Sequence, residues 1–254
     1  MDILSSIEDD VLTITFNRPA KKNAITAAMY QALADALHGG DTDPGVRAIL
    51  IVGQPEIFTA GNDLEDFMKS PPHGDDSPVF QFLQAISTAQ KPIVAAVRGA
   101  AVGVGTTMLL HCDLVYAGRS AKFSMPFVQL GICPEAASSL LLPQLIGFRH
   151  AAAKLLLGEA FGADEALAMG FVNQVLDDDA VVAHARAQAV KLASLPTTSI
   201  RTTKWLMKGD AAPDVAARMQ KEGAAFREML GAPEAKEAFS AFFEKRKPDF
   251  KQFA

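Results

Sequence analysis

Two stretches of this 254-residue chain set reactive residue types in a suggestive pattern. The first, GAAVGVGTT from Gly99 to Thr107, enters a helix through two glycines. A helix start leaves its first N–H groups unpaired and carries the positive end of the helix dipole. Such a start can hold an anion or steady a developing oxyanion. The second, ICPEAASS from Ile132 to Ser139, contains Glu135 among apolar neighbours. An apolar setting raises a carboxyl pKa and makes the carboxylate a stronger base. The same glutamate also fits a plain first-turn position that the dipole favours. A phosphate loop needs Gly-Lys-Ser/Thr, and Thr106-Thr107 follow without the lysine, which excludes a nucleoside-triphosphate loop.

Further candidates surround these two. FTAGNDL, Phe58 to Leu64, combines a tight Ala60-Gly61 backbone with Asn62 and Asp63, both suited to cap a helix. Arg18, Lys21 and Lys22 form a small basic cluster that suits either a solvated loop or an anion. Cys112 and Cys133 lie in apolar surroundings and read as free buried thiols; no Cys/His cluster suggests a metal. His111 reads as a structural residue.

The elements that must position these residues follow from periodicity. VLTITF (11–16), VRAILIV (46–52) and PIVAAV (92–97) read as strands, the last two as apolar as strands buried on both faces. Further short strands are expected at 113–117, 121–124 and 171–175. Thr26 should cap a helix that Gly39-Gly40 stops, with Met29, Leu33, Ala36 and Leu37 inward. A helix over 79–89 should bury Phe80, Leu83 and Ile86, and 69–78 reads as a mobile surface loop. Val104 to His111, a helix opening at Ser138 or Ser139, and helices at 149–157 and 163–169 follow. From about Asp179 the pattern is wholly helical: 180–194, 197–208, 213–230 and 233–246. There Met207, Met219, Phe226, Met229, Phe239, Phe242 and Phe243 recur at helical spacing, as a core stripe or a subunit interface.

A chain of this length and composition, with 49% hydrophobic residues, buries a sizeable core. Its net charge of −5 argues against nucleic acid as a partner. The acidic N-terminus lacks a signal-peptide pattern and no apolar run spans a bilayer, so a cytoplasmic protein with no membrane role is expected.

Six segments together carry a family likeness: NRPAKKNAIT, FTAGNDL, KPIVAAVRGAAVGVGTTMLLHCDLVYAG, FSMPFVQLGICPEAASS, GADEALAMGFVNQV and AFFEKRKPDF. In this order and spacing they resemble the crotonase (enoyl-CoA hydratase/isomerase) superfamily over essentially the whole chain. The resemblance implies an α/β fold, a spiral of ββα units in two roughly perpendicular sheets. That core would span residues 1–195, with a helical region at 196–254 that drives assembly to a homotrimer or a dimer of trimers.

It also implies an acyl-CoA substrate, with coenzyme A as part of that substrate and no separate cofactor or metal. Catalytic roles then fall on Glu135 as base and on the main-chain N–H groups of Asn62 and Val104 as the oxyanion hole. Val104 stands where many members have glycine. Arg18, Lys22, Ala60, Gly61, Asn62, Asp63, Leu64 and Val104 would bind the substrate, with Lys21 a further phosphate contact. Lys245 and Lys247 would reach the same phosphates from a neighbouring subunit. Hydratases of the family use two glutamates, at positions that hold Thr107 and Phe127 here. The pattern PF..LG..PE..SS resembles instead the 3,2-trans-enoyl-CoA isomerases of the peroxisomal type, whose single catalytic glutamate matches Glu135. The competing expectations are a hydratase and a non-catalytic acyl-CoA-binding module.

Overall fold

The computed structural model describes residues 1–253 except 70, 73 and 75. Strands β1 (Ile3–Glu8) and β2 (Val11–Phe16) form an antiparallel hairpin. Its turn places Asp9 and Asp10 at φ 51° and 59°, the paired left-handed geometry that matches strand twist and that aspartate tolerates. β1 was not expected from the sequence. It is an edge strand that buries only Ile3, so it lacks apolar alternation.

Helix α1 (Ala27–Thr42) follows, with the Thr26 hydroxyl accepting from the Met29 N–H at 3.3 Å as an N-cap. Gly39-Gly40 does not stop it. A Cβ at Gly40 would lie 2.5 Å from Leu12 Cδ2, so this glycine serves close packing against β2 instead of termination.

The chain then repeats one plan. A strand joins the larger sheet, a second joins the smaller sheet, and a helix returns. The first turn is β3 (Ala48–Val52), β4 (Ile57–Thr59), α2 (Leu64–Lys69) and α3 (Pro78–Thr88). The second is β5 (Ile93–Val97), β6 (Ala100–Val102) and α4 (Val104–Thr107), which continues as a 3-10 turn to His111. The third is β7 (Leu114–Gly118), β8 (Lys122–Ser124), α5 (Ser138–Ile146) and α6 (Phe148–Leu156). Closing the spiral are β9 (Phe161–Gly162), α7 (Ala163–Ala168) and β10 (Gln174–Leu176). Among the described residues the larger sheet runs β1-β2-β3-β5-β7-β10 and the smaller β4-β6-β8-β9. Pairing is parallel except for β1 with β2 and β8 with β9.

The continuous apolarity of β3 and β5 has the expected cause. Ile49, Ile51, Ile93 and Ala95 face the main core. Ala48, Leu50, Val52, Val94 and Ala96 face helix α8 (Val181–Ser194), whose Ala185, Ala189 and Ala193 let it lie close.

Helices α9 (Thr197–Lys208), α10 (Ala212–Leu230) and α11 (Pro233–Phe243) complete the chain. Lys204 and Lys208 of α9 each pair with Asp113 at 2.8 Å. The apolar stripe divides. Phe226 and Phe239 are buried and Met219 and Met229 pack on the core, whereas Met207, Phe242 and Phe243 are exposed. In α3 the fully buried aromatic is Phe82, and Phe80 is only partly buried. Within 69–78, positions 70, 73 and 75 lie outside the described residues, and Pro72 is buried, so the segment is not simply a surface loop. Among the described residues no helix is long and apolar enough to cross a membrane.

Candidate active site

Two backbone segments meet at the top of the smaller sheet. β4 runs into Ala60-Gly61-Asn62, and β6 runs into Gly103 and α4. Gly61 sits at φ +82°, and a Cβ there would lie 2.6 Å from the Val102 carbonyl oxygen. Only glycine lets these chains approach so closely. Gly103 adopts φ 57°, ψ −120° as the N-cap of α4, again a glycine conformation, and donates to the Ser124 carbonyl at 2.8 Å. The Ile25 N–H bonds the Gly61 carbonyl at 2.8 Å and the Asp63 N–H bonds the Ile25 carbonyl at 2.9 Å, which holds Asn62 between them. The amides of Asn62 and Val104 donate to no partner among the described residues.

Both residues line one cavity together with Glu135, Tyr30, Phe67, Pro72, Val79, Phe80, Leu83 and Phe226. The three expected catalytic positions, more than 70 residues apart at the extremes, are therefore brought together. The cavity is narrow in this conformation, about 10 Å³, close to room for one water molecule.

Glu135 is 7% exposed. The Thr107 hydroxyl donates to its Oε1, and Oε2 is buried with no partner among the described residues. Burial pushes its pKa up to about 8; the negative charge of Glu222 adds to the rise and the Thr107 hydrogen bond opposes it. Glu135 precedes α5, outside the helix, separated from it by Ala136 and Ala137 at φ 59° and 54°. This left-handed pair turns the chain sharply. The Ser138 hydroxyl and N–H both return to the Glu135 carbonyl, at 2.6 and 3.0 Å. From the other side, His111 Nε2 lies 2.8 Å from the Ala136 carbonyl. A carbonyl only accepts, so Nε2 carries the proton. Burial lowers the His111 pKa to about 4, which keeps the ring neutral.

Tyr30, buried in α1, donates its hydroxyl to Asn62 Oδ1. Burial, then the charge of Glu135, raises its pKa well above the ordinary phenol value, so it stays a donor. Asp63 caps α2, accepting from the Asp66 N–H at 3.2 Å. Although burial works against its charge, bonds from Arg18 and from the Asp66 and Glu65 amides hold its pKa low.

The basic cluster is split. Arg18 is committed to Asp63 at 2.7 Å and to the Ala24 carbonyl at 2.8 Å, and so braces the loop. Lys21 and Lys22 are exposed, and the Lys22 carbonyl accepts from the Ala60 N–H at 3.0 Å, which fixes both lysines beside the FTAGNDL segment. Lys245 and Lys247 are exposed at the C-terminal end. Cys112 and Cys133 are free, and burial pushes their thiols up to about 12 and about 11. Neither is a thiolate nucleophile at neutral pH.

Three neighbours of Glu135 were not read as site residues from the sequence. Thr107 was noted only as the place of a missing acid. Tyr30 follows Met29 in a helix whose other inward residues are aliphatic. Glu222 carried a legible signal: it lies three residues after Met219 and four before Phe226, on the apolar face of α10.

The enoyl-CoA hydratase/isomerase family model matches residues 6–253, and the chain belongs to that family. The crystal structure of an enoyl-CoA hydratase/isomerase from Pseudoalteromonas atlantica superposes with a TM-score of 0.95 at 45% identity, covering 98% of this chain and 100% of that one. The 2,3-dehydroadipyl-CoA hydratase of Escherichia coli is 31% identical over 98% of both chains. Enoyl-CoA delta isomerase 2 of Rattus norvegicus is 34% identical over 97% of this chain and 64% of its own length.

Proposed function

We propose that this acyl-CoA enzyme is an isomerase that moves the double bond of a 3-enoyl-CoA to the trans-2 position. The observation that carries the reading is that a buried acid, Glu135, the one acid among the described residues of the cavity lining, shares that apolar cavity with the Asn62 and Val104 amides. The reaction removes a proton from carbon 2 and returns one to carbon 4. One carboxylate that reaches both carbons performs both transfers. The enolate between them places negative charge on the thioester oxygen, and two preorganised N–H donors stabilise it. Each such donor is worth roughly 3 kcal/mol in the transition state. Val104 serves as well as glycine, because its main chain is the donor. The elevated pKa of Glu135, about 8, gives a base matched to mildly alkaline operation.

Coenzyme A would lie along Ala60 to Leu64, its phosphates met by Lys21 and Lys22; Arg18 acts through the loop that it braces. The cavity, about 10 Å³ here, must widen to admit the acyl chain. The exposed Trp205, Met207, Phe242 and Phe243 supply apolar surface for the homotrimer or dimer of trimers that this reading expects.

A second reading, hydration of a 2-enoyl-CoA, is favoured by the hydratase among the relatives. Against it stand Thr107 and Phe127 at the positions where the family's hydratases carry their acids. An assay panel of 2- and 3-enoyl-CoAs of graded length separates the two. Formation of the conjugated thioester absorbance from 3-enoyl-CoA supports isomerisation. Its rapid loss from crotonyl-CoA, with no action on 3-enoyl-CoA, supports hydration.

A further inference from the structure

A second buried carboxylate, Glu222, stands behind the candidate base. It belongs to α10 and is 6% exposed. One of its oxygens accepts from the Ala137 N–H at 2.6 Å and the other from the Ser139 N–H at 3.0 Å. These are the amides two and four residues after Glu135. Arg218, one turn earlier on α10, donates to the Ser139 hydroxyl at 3.0 Å. The Cys133 thiol lies 3.6 Å from the Glu222 carbonyl, so the same helix also touches the residue two before Glu135.

We propose that Glu222 is a positioning residue for Glu135: it clamps the left-handed Ala136-Ala137 turn that aims the base, and brings a second carboxyl group close behind it. This rests on the isomerase reading only for the choice of reaction assayed. The clamp is specific. Two residues at positive φ are costly without compensation, on the order of 1–2 kcal/mol each, and charge-assisted bonds to the amides that follow supply it. An asparagine or serine offers a single acceptor atom for the two amides. A carboxylate satisfies two, and brings a charge into the interior near a second acid.

The charged and titratable groups around the pair are few. Thr107 of α4 and Tyr30 of α1 face Glu135, and both remain protonated donors. His111, from the turn after α4, meets the Ala136 carbonyl as a neutral ring. Lys204 and Lys208 of α9 are engaged with Asp113. Burial raises the pKa of Glu222 itself, while the bonds from Ser139 and Ala137 and the charge of Arg218, which donates to the Ser139 hydroxyl, favour its ionised form. The Cys133 thiol stays protonated. Glu222 is thus the anion that acts on Glu135, and its charge favours the protonated base.

The test is carbon-13 NMR of labelled glutamate carboxyls in the full chain without substrate, for wild type, E222Q and E135Q. The resonance lost in E135Q assigns Glu135. In E222Q its titration midpoint should fall by about one pH unit or more, since an opposing charge is gone. On 3-enoyl-CoA the alkaline-plateau kcat should fall roughly 10–100-fold through misplacement of the base, with acyl-CoA affinity within about threefold, and the rise of activity with pH should begin at lower pH. An unmoved Glu135 midpoint would overturn the proposal. So would kcat and affinity falling together with an unchanged pH profile, the mark of a merely structural residue. Should E222Q fail to fold, E222D decides: the shorter acid keeps the charge but loses its reach to one of the two amides, so kcat should fall roughly tenfold with acyl-CoA affinity held, and an unchanged kcat overturns the clamp. A wild type inert on every 3-enoyl-CoA whose Glu135 midpoint still moves in E222Q supports the clamp and overturns only the assigned reaction.

Discussion

The hydroxyl of Thr107, on the first turn of α4, donates to Oε1 of Glu135 and leaves Oε2 as the carboxylate oxygen without a partner among the described residues. That bond orients the carboxyl of Glu135 and moderates its pKa. Removing the hydroxyl with T107V should raise the Glu135 pKa above its present value of about 8, because a bond to the charged form is lost. The pH–rate profile for 3-enoyl-CoA should shift to higher pH, with kcat lower by roughly tenfold, a loss of about 1.4 kcal/mol. T107S should retain the wild-type profile.

Glu135 also shapes stability against pH. Its folded-state pKa is about 8 against an ordinary value of 4.5. A raised acid pKa means that the folded state holds its proton more tightly. The contribution of this group is then fully present below pH 4.5 and is lost as pH rises from 4.5 through 8. The total is on the order of 5 kcal/mol. E135Q, which cannot ionise, should escape the loss. Urea unfolding of both proteins at pH 5 and pH 9 should show the variant gaining on wild type at the higher pH.

His111 acts at the other end of the scale. Its folded pKa, about 4, lies below the ordinary 6.5 because burial disfavours the charged ring. A depressed histidine contributes stability that is present above 6.5 and is lost as pH falls through 4. The loss is about 3 kcal/mol. H111Q keeps a donor for the Ala136 carbonyl but does not titrate, so its melting temperature should fall less than that of wild type between pH 7 and pH 4.

Gly61 and Gly103 separate contact from conformation. An added Cβ at Gly61 meets the Val102 oxygen at 2.6 Å, whereas at Gly103 it meets nothing within 4 Å. G61A should therefore push apart the two segments that carry the paired amides, lowering turnover on the order of 100-fold and also stability. G103A bears conformational strain alone, roughly 1–2 kcal/mol. Thermal melts with steady-state assays check both.

The strands of the larger sheet were legible because their apolarity is continuous, and β3 and β5 are indeed covered on both faces. β1 escaped notice because an edge strand with five exposed residues has no pattern to show. The end of α1 was misplaced because a glycine chosen for contact with Leu12 looks, in sequence, like a glycine chosen to stop a helix. Within the site, Glu135, Asn62 and Val104 came from short motifs, and their convergence on one cavity is a matter of tertiary structure. Tyr30 reaches it from α1, and Glu222 reaches the turn behind Glu135 from α10, at sequence distances that no local motif spans. The basic cluster divided for a similar reason: only the fold sets Asp63 beside Arg18.

The most direct measurement is stopped-flow conversion of a 3-enoyl-CoA by wild type and E135Q at pH 8.5, with acyl-CoA affinity measured by calorimetry on both. Loss of the base should lower the rate by roughly 100- to 10,000-fold with affinity unchanged. Equal rates in the two proteins would remove Glu135 from the chemistry and with it the proposed reaction.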